Sequence, residues 1–226
     1  VKRILILVVA LAFALVLLPS ASALTDDEIK RAEAVIPLLE GSRELWAIGE
    51  LVHIGPPAVS ILAKALTHPS RRVRLNAIEA LYLIKDKSAV PTLNATAANT
   101  EQIPAVREKA LRVAVRLDPP NAVPALQAMA KDPNEAIRNV VVSESRVIPD
   151  KAIIELLISM LADDAPSIAD GAMRTLFGFT GRHVEGQDFV QSTKEQRVAW
   201  SKDWAEWWDE NRDKFRFSQG RSAPTP

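Results

Sequence analysis

Four times along the chain a small residue, a β-branched residue and a leucine stand at positions i, i+1 and i+4. Ala58-Val59-x-x-Leu62 returns as Ala89-Val90-x-x-Leu93, Ala122-Val123-x-x-Leu126 and Ala152-Ile153-x-x-Leu156, at spacings of 31, 33 and 30 residues. A weaker copy, Ala34-Val35-x-x-Leu38, lies 24 residues before the first. On a helix these positions share one face. The alanine permits close approach of a neighbouring helix and the leucine fills the groove opposite. A unit of about 30 residues cannot bury such a stripe by itself and must stack on copies of itself.

Each unit has a second half. Val73-Arg74, Val106-Arg107 and Ile137-Arg138 follow the unit starts by 15 to 18 residues, and apolar residues continue from them at helical spacing; in the last unit Ile168, Ala172 and Leu176 keep the rhythm while Ala169 replaces the arginine. The unit is therefore helix–turn–helix. His68-Pro69-Ser70, Asp132-Pro133-Asn134 and Asp163-Asp164-Ala165-Pro166 supply capping side chains and first-turn prolines between the two halves. Asp132 with Glu135 has the spacing of a capping box, as does Thr25 with Glu28. Pro91 and Pro124 are read as first-turn prolines, and Pro37 predicts a kinked or split helix over 26–40. Val140-Val141-Val142 favours a strand by propensity, but the repeat register places it in a helix, where a lone strand would have no ladder partner.

This pattern resembles the HEAT-like repeats found in phycobilisome lyases and in many bacterial proteins, over roughly residues 34–182. The resemblance implies an all-α solenoid of about five helical hairpins, with the second helices lining its concave face. It also raises a lyase-like enzyme, attaching or removing a chromophore, as one reading.

Beyond the repeats, Ser192-x-x-Glu195 predicts a new helix over about 193–213, carrying Trp200, Trp204, Trp207 and Trp208 on one face. Thr180-Gly181, this Trp-rich helix and Asn211-x-x-x-Phe215 resemble the ends of exported bacterial HEAT-repeat proteins. The stripe reads as a cap over the open apolar end of the stack, or as an aromatic platform for glycan. The organisation expected is a signal peptide over 1–23, a solenoid over 24–182, a loop and capping helix over 183–215, and a disordered tail over 216–226.

The first residues point to export. Lys2 and Arg3 precede an apolar run from Ile4 to Leu18, Pro19 ends it, and Ala21-Ser22-Ala23 fits a cleavage site. The run is shorter than the ~20 residues that span a bilayer comfortably, so a membrane association is expected only if this segment stays uncleaved. The location implied is periplasmic or secreted. Without Lys2 and Arg3, 26 basic residues face 28 acidic ones, which gives no chain-wide pull toward nucleic acid.

Catalytic and metal-binding patterns are not found. The chain has no cysteine, so thiol chemistry and thiolate metal sites are excluded. His53, His68 and His183 stand in different units without ligand spacing, and no cofactor is expected. Asp163-Asp164 reads as an N-cap pair rather than a catalytic dyad. The arginines are the polar feature that repeats with the fold. Arg74, Arg107 and Arg138, fixed in register behind a core residue, read as a structural ladder bonding the neighbouring repeat. Arg71, Arg72 and Arg112 lack that register and are the candidates for binding a partner.

The leading functional expectation is a non-enzymatic scaffold of the bacterial envelope that binds a protein partner on the solenoid. An envelope glycan or peptidoglycan binder using the aromatic end comes next, and the lyase-like enzyme third. The export reading predicts that N-terminal sequencing of the protein from an envelope fraction starts at Leu24. Recovery of the uncleaved chain in the cytosol would contradict it.

Overall fold

A computed structural model describes residues 25–217, and these are helical with no strand among them. The elements pair as the repeat demands: α1 (Asp26–Val35) with α2 (Glu44–Ile54), α3 (Val59–Ala65) with α4 (Arg71–Ile84), α5 (Val90–Ala98) with α6 (Pro104–Leu117), α7 (Pro119–Met129) with α8 (Glu135–Ser145), and α9 (Lys151–Met160) with α10 (Pro166–Thr180); α11 (Lys194–Asn211) follows alone. The expected signal segment, and the tail from residue 218 on, lie outside the described residues.

The stack has two layers. The second helices α2, α4, α6, α8 and α10 each pack on the next without interruption. The first helices form the other layer, where α11 continues the row by packing on α9. The core between the layers is built by the repeated residues. Ala58, Ala89 and Ala122 are fully buried, as are Leu62, Leu93 and Leu126. Val140, Val141 and Val142 are all buried inside α8. Their β-branched preference is overridden because α8 packs on both α6 and α10.

The helix ends show where local sequence signals act. Thr25 and Glu28 form the capping box of α1. That helix stops at Val35, and Pro37 starts a 3-10 turn over Ile36–Glu40. The split moves the register of the first unit: Ala32, Val35 and Leu39 are buried, whereas Ala34 is exposed. The Ala34-Val35-x-x-Leu38 copy is thus out of phase with the packing, its alanine by two residues and its leucine by one. Pro119 and Pro120 form the first turn of α7 instead of a linker, which leaves Pro124 inside the helix. The box of α11 is made by Thr193 and Gln196, one residue after the Ser192–Glu195 spacing. Asp132 and Glu135 make no capping box, because Asn134 caps α8 and Asp132 is engaged elsewhere.

The C-terminal end is closed by α11. Trp204 is wholly buried and Trp208 nearly so, while Trp200 and Trp207 are half-buried against the core. Ordered packing runs past residue 215: the Phe217 ring meets Phe215 and Phe179 edge-on at 5.0 and 5.7 Å. Substituting Trp204→Ala is expected to cost about 3–5 kcal/mol of stability, read by chemical denaturation. A melting curve like that of wild type would show that α11 does not seal the stack.

Candidate functional site

The paired helices of units two to five are joined by turns that share one hydrogen bond. In each, a side chain accepts from the backbone N–H two residues on: His68 Nδ1 from Ser70, Asn99 Oδ1 from Glu101, Asp132 Oδ1 from Asn134 and Asp163 Oδ1 from Ala165, at 2.8 to 3.1 Å. In the last two turns the carboxylate also takes an arginine from the preceding unit. Arg107 donates through Nη2 to Asp132 Oδ2. Arg138 donates through Nε and Nη2 to both oxygens of Asp163, at 2.7 and 2.9 Å. The Asp163 carboxylate holds the Arg138 guanidinium above the usual arginine range.

These bonds form a continuous line. Arg107 Nε donates to the Ala97 carbonyl at 2.9 Å, and Arg138 Nη1 to the Asp132 carbonyl at 2.8 Å. In the fifth unit, where Ala169 stands in place of the arginine, Arg197 reaches in from α11. Its Nε and Nη2 donate to the Asp163 and Asp164 carbonyls at 3.0 and 3.1 Å, and its Nη1 to the Ser192 carbonyl at 2.8 Å. Arg107, Asp132 and Arg197 are all buried. Arg74 differs. It donates only to the His68 and Pro69 carbonyls of its own turn, and its Nε is buried without an acceptor. The residue 25 positions after Arg107 or Arg138 is an aspartate; 25 after Arg74 it is Asn99. An amide there keeps the turn but offers no charge.

The three arginines without that register lie on the outer side of α4 and α6. Arg71 is exposed and makes no ion pair among the described residues. Arg72 and Arg112 are less free than their lack of register implied. Arg72 grips Glu44 of α2 with two bonds of 2.6 and 2.9 Å, and Arg112 donates to Glu144 of α8 at 2.5 Å. Lys109 of α6 meets Glu79 of α4 at 2.8 Å. The Arg72 guanidinium, helped by the Asn76 amide, holds the Glu44 carboxyl below the usual carboxylate range. Neighbouring second helices supply these acids, so much of the positive charge on this face is answered locally.

At the far end the tryptophans are packed on one another and on the core. Trp204 meets Trp207 at 5.6 Å and 76°, and Trp208 meets Phe215 at 5.3 Å and 69°. Arg182 lies over Trp204 and Trp207 at 4.5 and 5.0 Å, where burial pushes its guanidinium down from the usual arginine range. No aromatic pair among the described residues lies open and coplanar, the arrangement a sugar platform needs. The fifth tryptophan, Trp46, is 52 % exposed beside Leu45 at the start of α2.

A cleft of about 580 Å³ opens between Lys131, Asp132, Arg138, Ser159, Asp163 and Lys194. Its aspartates, Arg138 and Lys194 are bonded to each other or to backbone, Lys194 with Asp164 at 2.6 Å, so it is a seam of the ladder. Among the described residues no three His, Asp or Glu side chains come together as a metal site. No described helix alone is long and apolar enough to cross a membrane.

These layers and turns define a HEAT-like repeat α-solenoid. The family model for HEAT repeats matches residues 42–103. Among solved structures the chain is similar to the complex of CpcE and CpcF of phycocyanin lyase from Nostoc sp. PCC7120. The match has 21 % identity and a TM-score of 0.52, over 65 % of this chain and 98 % of the other. No curated protein sequence matches the chain.

The ladder generates a paired prediction. Arg107→Ala strands a carboxylate whose side chain is 2 % exposed, and is expected to cost about 3–5 kcal/mol. Replacing Arg107 and Asp132 together by apolar residues should recover most of that loss. Asn99→Asp should add roughly 1 kcal/mol by giving Arg74 an acceptor, and should add nothing in an Arg74→Ala background. Urea denaturation of the five variants, with Arg74→Ala alone as the reference for its background, decides the matter.

Proposed function

We propose that the chain is a non-enzymatic scaffold of the bacterial envelope that holds a protein partner on the outward side of its second helices. The observation that carries this reading is the uninterrupted packing of α2, α4, α6, α8 and α10. Their outward side chains form one continuous surface, roughly 40 Å long at a helix spacing of 8–10 Å. Cross-helix pairs such as Arg72 with Glu44 and Arg112 with Glu144 tie that surface together. A surface held in shape before binding loses little conformational entropy on binding. The similar phycocyanin lyase is itself a complex of two chains, CpcE and CpcF, which suits a fold that binds protein. The envelope location rests on the apolar segment after Lys2 and Arg3.

Arg71, Arg72 and Arg112 are the contacts proposed in the scaffold. Arg71 is the cleanest probe, since Arg72 and Arg112 also serve Glu44 and Glu144. A lyase-like reading draws on the same structural likeness, and would show as chromophore transfer by the chain in the absence of any stable partner. A glycan reading has the burial of Trp204 and Trp208 against it.

The test is affinity capture from envelope extract with the chain as bait. A protein retained in fixed ratio to the bait, released as salt rises and weakened at least threefold by Arg71→Glu, is the expected result. That substitution should leave stability within about 0.5 kcal/mol. Retention of chromophore or glycan with no protein would overturn the scaffold.

A further inference from the structure

The second helices end along one rim, and the residues there differ from those on the rest of the face. Ten positions after the Val/Ile of each Val/Ile-Arg register stand Leu83, Arg116 and Val147; one position earlier stand Tyr82, Arg146 and, in α10, Phe177. Leu83, Val147 and Phe177 are 43 %, 56 % and 48 % exposed, and make up half of the large apolar side chains left open in the described residues. The Arg116 guanidinium of α6 lies 5.6 Å from the Tyr82 ring of α4, and Phe177 meets His183 edge-on at 6.2 Å.

Charge sets this rim apart from the rest of the face, Arg71 excepted. Arg72, Lys109 and Arg112 are each paired with a carboxylate of a neighbouring helix. Lys85, Arg116 and Arg146 have no ion pair among the described residues, though all three are exposed. The acids close by are already used: Asp86 and Asp150 cap their helices, and Asp118 meets Lys87 at 3.6 Å. Residues 1–24 and 218–226 contain no Asp or Glu.

One backbone feature points the same way. Lys85 closes α4 at φ 60 and ψ 25, and is the one non-glycine residue at positive φ among those described. Glycines take the positive-φ positions that close α2 and α10, Gly55 and Gly181. A side chain is unfavourable in that conformation, and a strained position held by a charged residue is a pointer to function.

We propose that this rim, from Tyr82 and Leu83 through Arg116, Arg146 and Val147 to Phe177, docks an acidic amphipathic segment of a partner protein. The proposal rests on the scaffold reading and specifies its partner. Carboxylates of the segment meet Lys85, Arg116 and Arg146, while its apolar side chains cover Leu83, Val147 and Phe177. The rim spans three helix intervals, roughly 30 Å, the length of a helix of about 20 residues.

The test uses the full chain and a labelled 20-residue synthetic helix with glutamates on one face and leucines on the other. A second peptide carries lysine at every glutamate. Fluorescence anisotropy should show the acidic peptide binding, its affinity falling with salt, and the basic peptide failing to bind. Arg116→Gln with Arg146→Gln should weaken binding at least tenfold with Tm within about 3 °C of wild type, and Val147→Ser should weaken it severalfold. Lys85→Gly should also weaken binding while Tm stays level or rises, which a purely structural lysine would not do. Equal binding of both peptides, or unchanged affinity in the Gln variant, overturns the proposal. Binding to phosphatidylglycerol vesicles without binding to the acidic peptide also overturns it, in favour of a lipid surface. A partner captured from envelope extract that binds wild type and the Gln variant alike removes the rim and leaves the scaffold standing. No captured protein, with the acidic peptide still bound through these residues, removes the scaffold and keeps the rim.

Discussion

An arginine reaching from one repeat to the aspartate in the next repeat's turn is the contact on which the regularity of the three C-terminal units rests. Apolar stripes bring helices together, but a smooth apolar surface tolerates small slides and rotations. The bonds from Arg107 to Asp132 and from Arg138 to Asp163 are directional, the first buried and the second part-buried. Misplacing either partner leaves a charge stranded away from water, which costs several kcal/mol. Each aspartate is also fixed by the N–H two residues on. The pair therefore sets how far one unit turns and advances relative to the last. Arg197 shows that the turn needs its donor, because a different helix provides one where the repeat lacks it.

Much of this was legible in the sequence, because repetition turns weak local signals into strong ones. The Ala-Val-x-x-Leu register located the buried faces of α3, α5, α7 and α9, and overrode the strand preference of Val140 to Val142. The acceptors of the arginines were harder to see. Asp132 and Asp163 looked like helix caps, because short polar side chains before a helix do that work most often. The constant interval of 25 residues from Arg107 and Arg138 to an aspartate was the available signal. Arg197 had none, since it lies outside the repeat and acts through a tertiary contact. Where the repeat was weakest, at Ala34 and Leu38, a single proline goes with a shift of the buried positions by one or two residues.

The outward face of the second helices follows a different logic. Its charges are mostly satisfied across neighbouring helices, so a count of arginines overstates its positive potential. Arg72 and Arg112 stood out by lacking the ladder register, yet glutamates on adjacent helices engage both. Sequence distance hides such partners: Glu44 and Arg72 are 28 residues apart. The tryptophans present the opposite case. Their spacing alone placed them on one face, and burial of that face follows from the need to cover the last apolar layer.

Asn99 divides the array mechanically. A solenoid behaves as a chain of springs in series, whose compliance is the sum over its junctions because each repeat contacts only its neighbours. From Arg107 to Arg197 every junction is cross-braced by directional polar bonds. Between the second and third units no such brace reaches across from Arg74 to the Asn99 turn, and apolar packing, the Gln102 bond to the Leu66 carbonyl and the exposed Lys109–Glu79 pair hold the junction. With no buried arginine–aspartate pair across it, that junction is the softest against bending that these contacts define, and any change in the curvature of the superhelix costs least there.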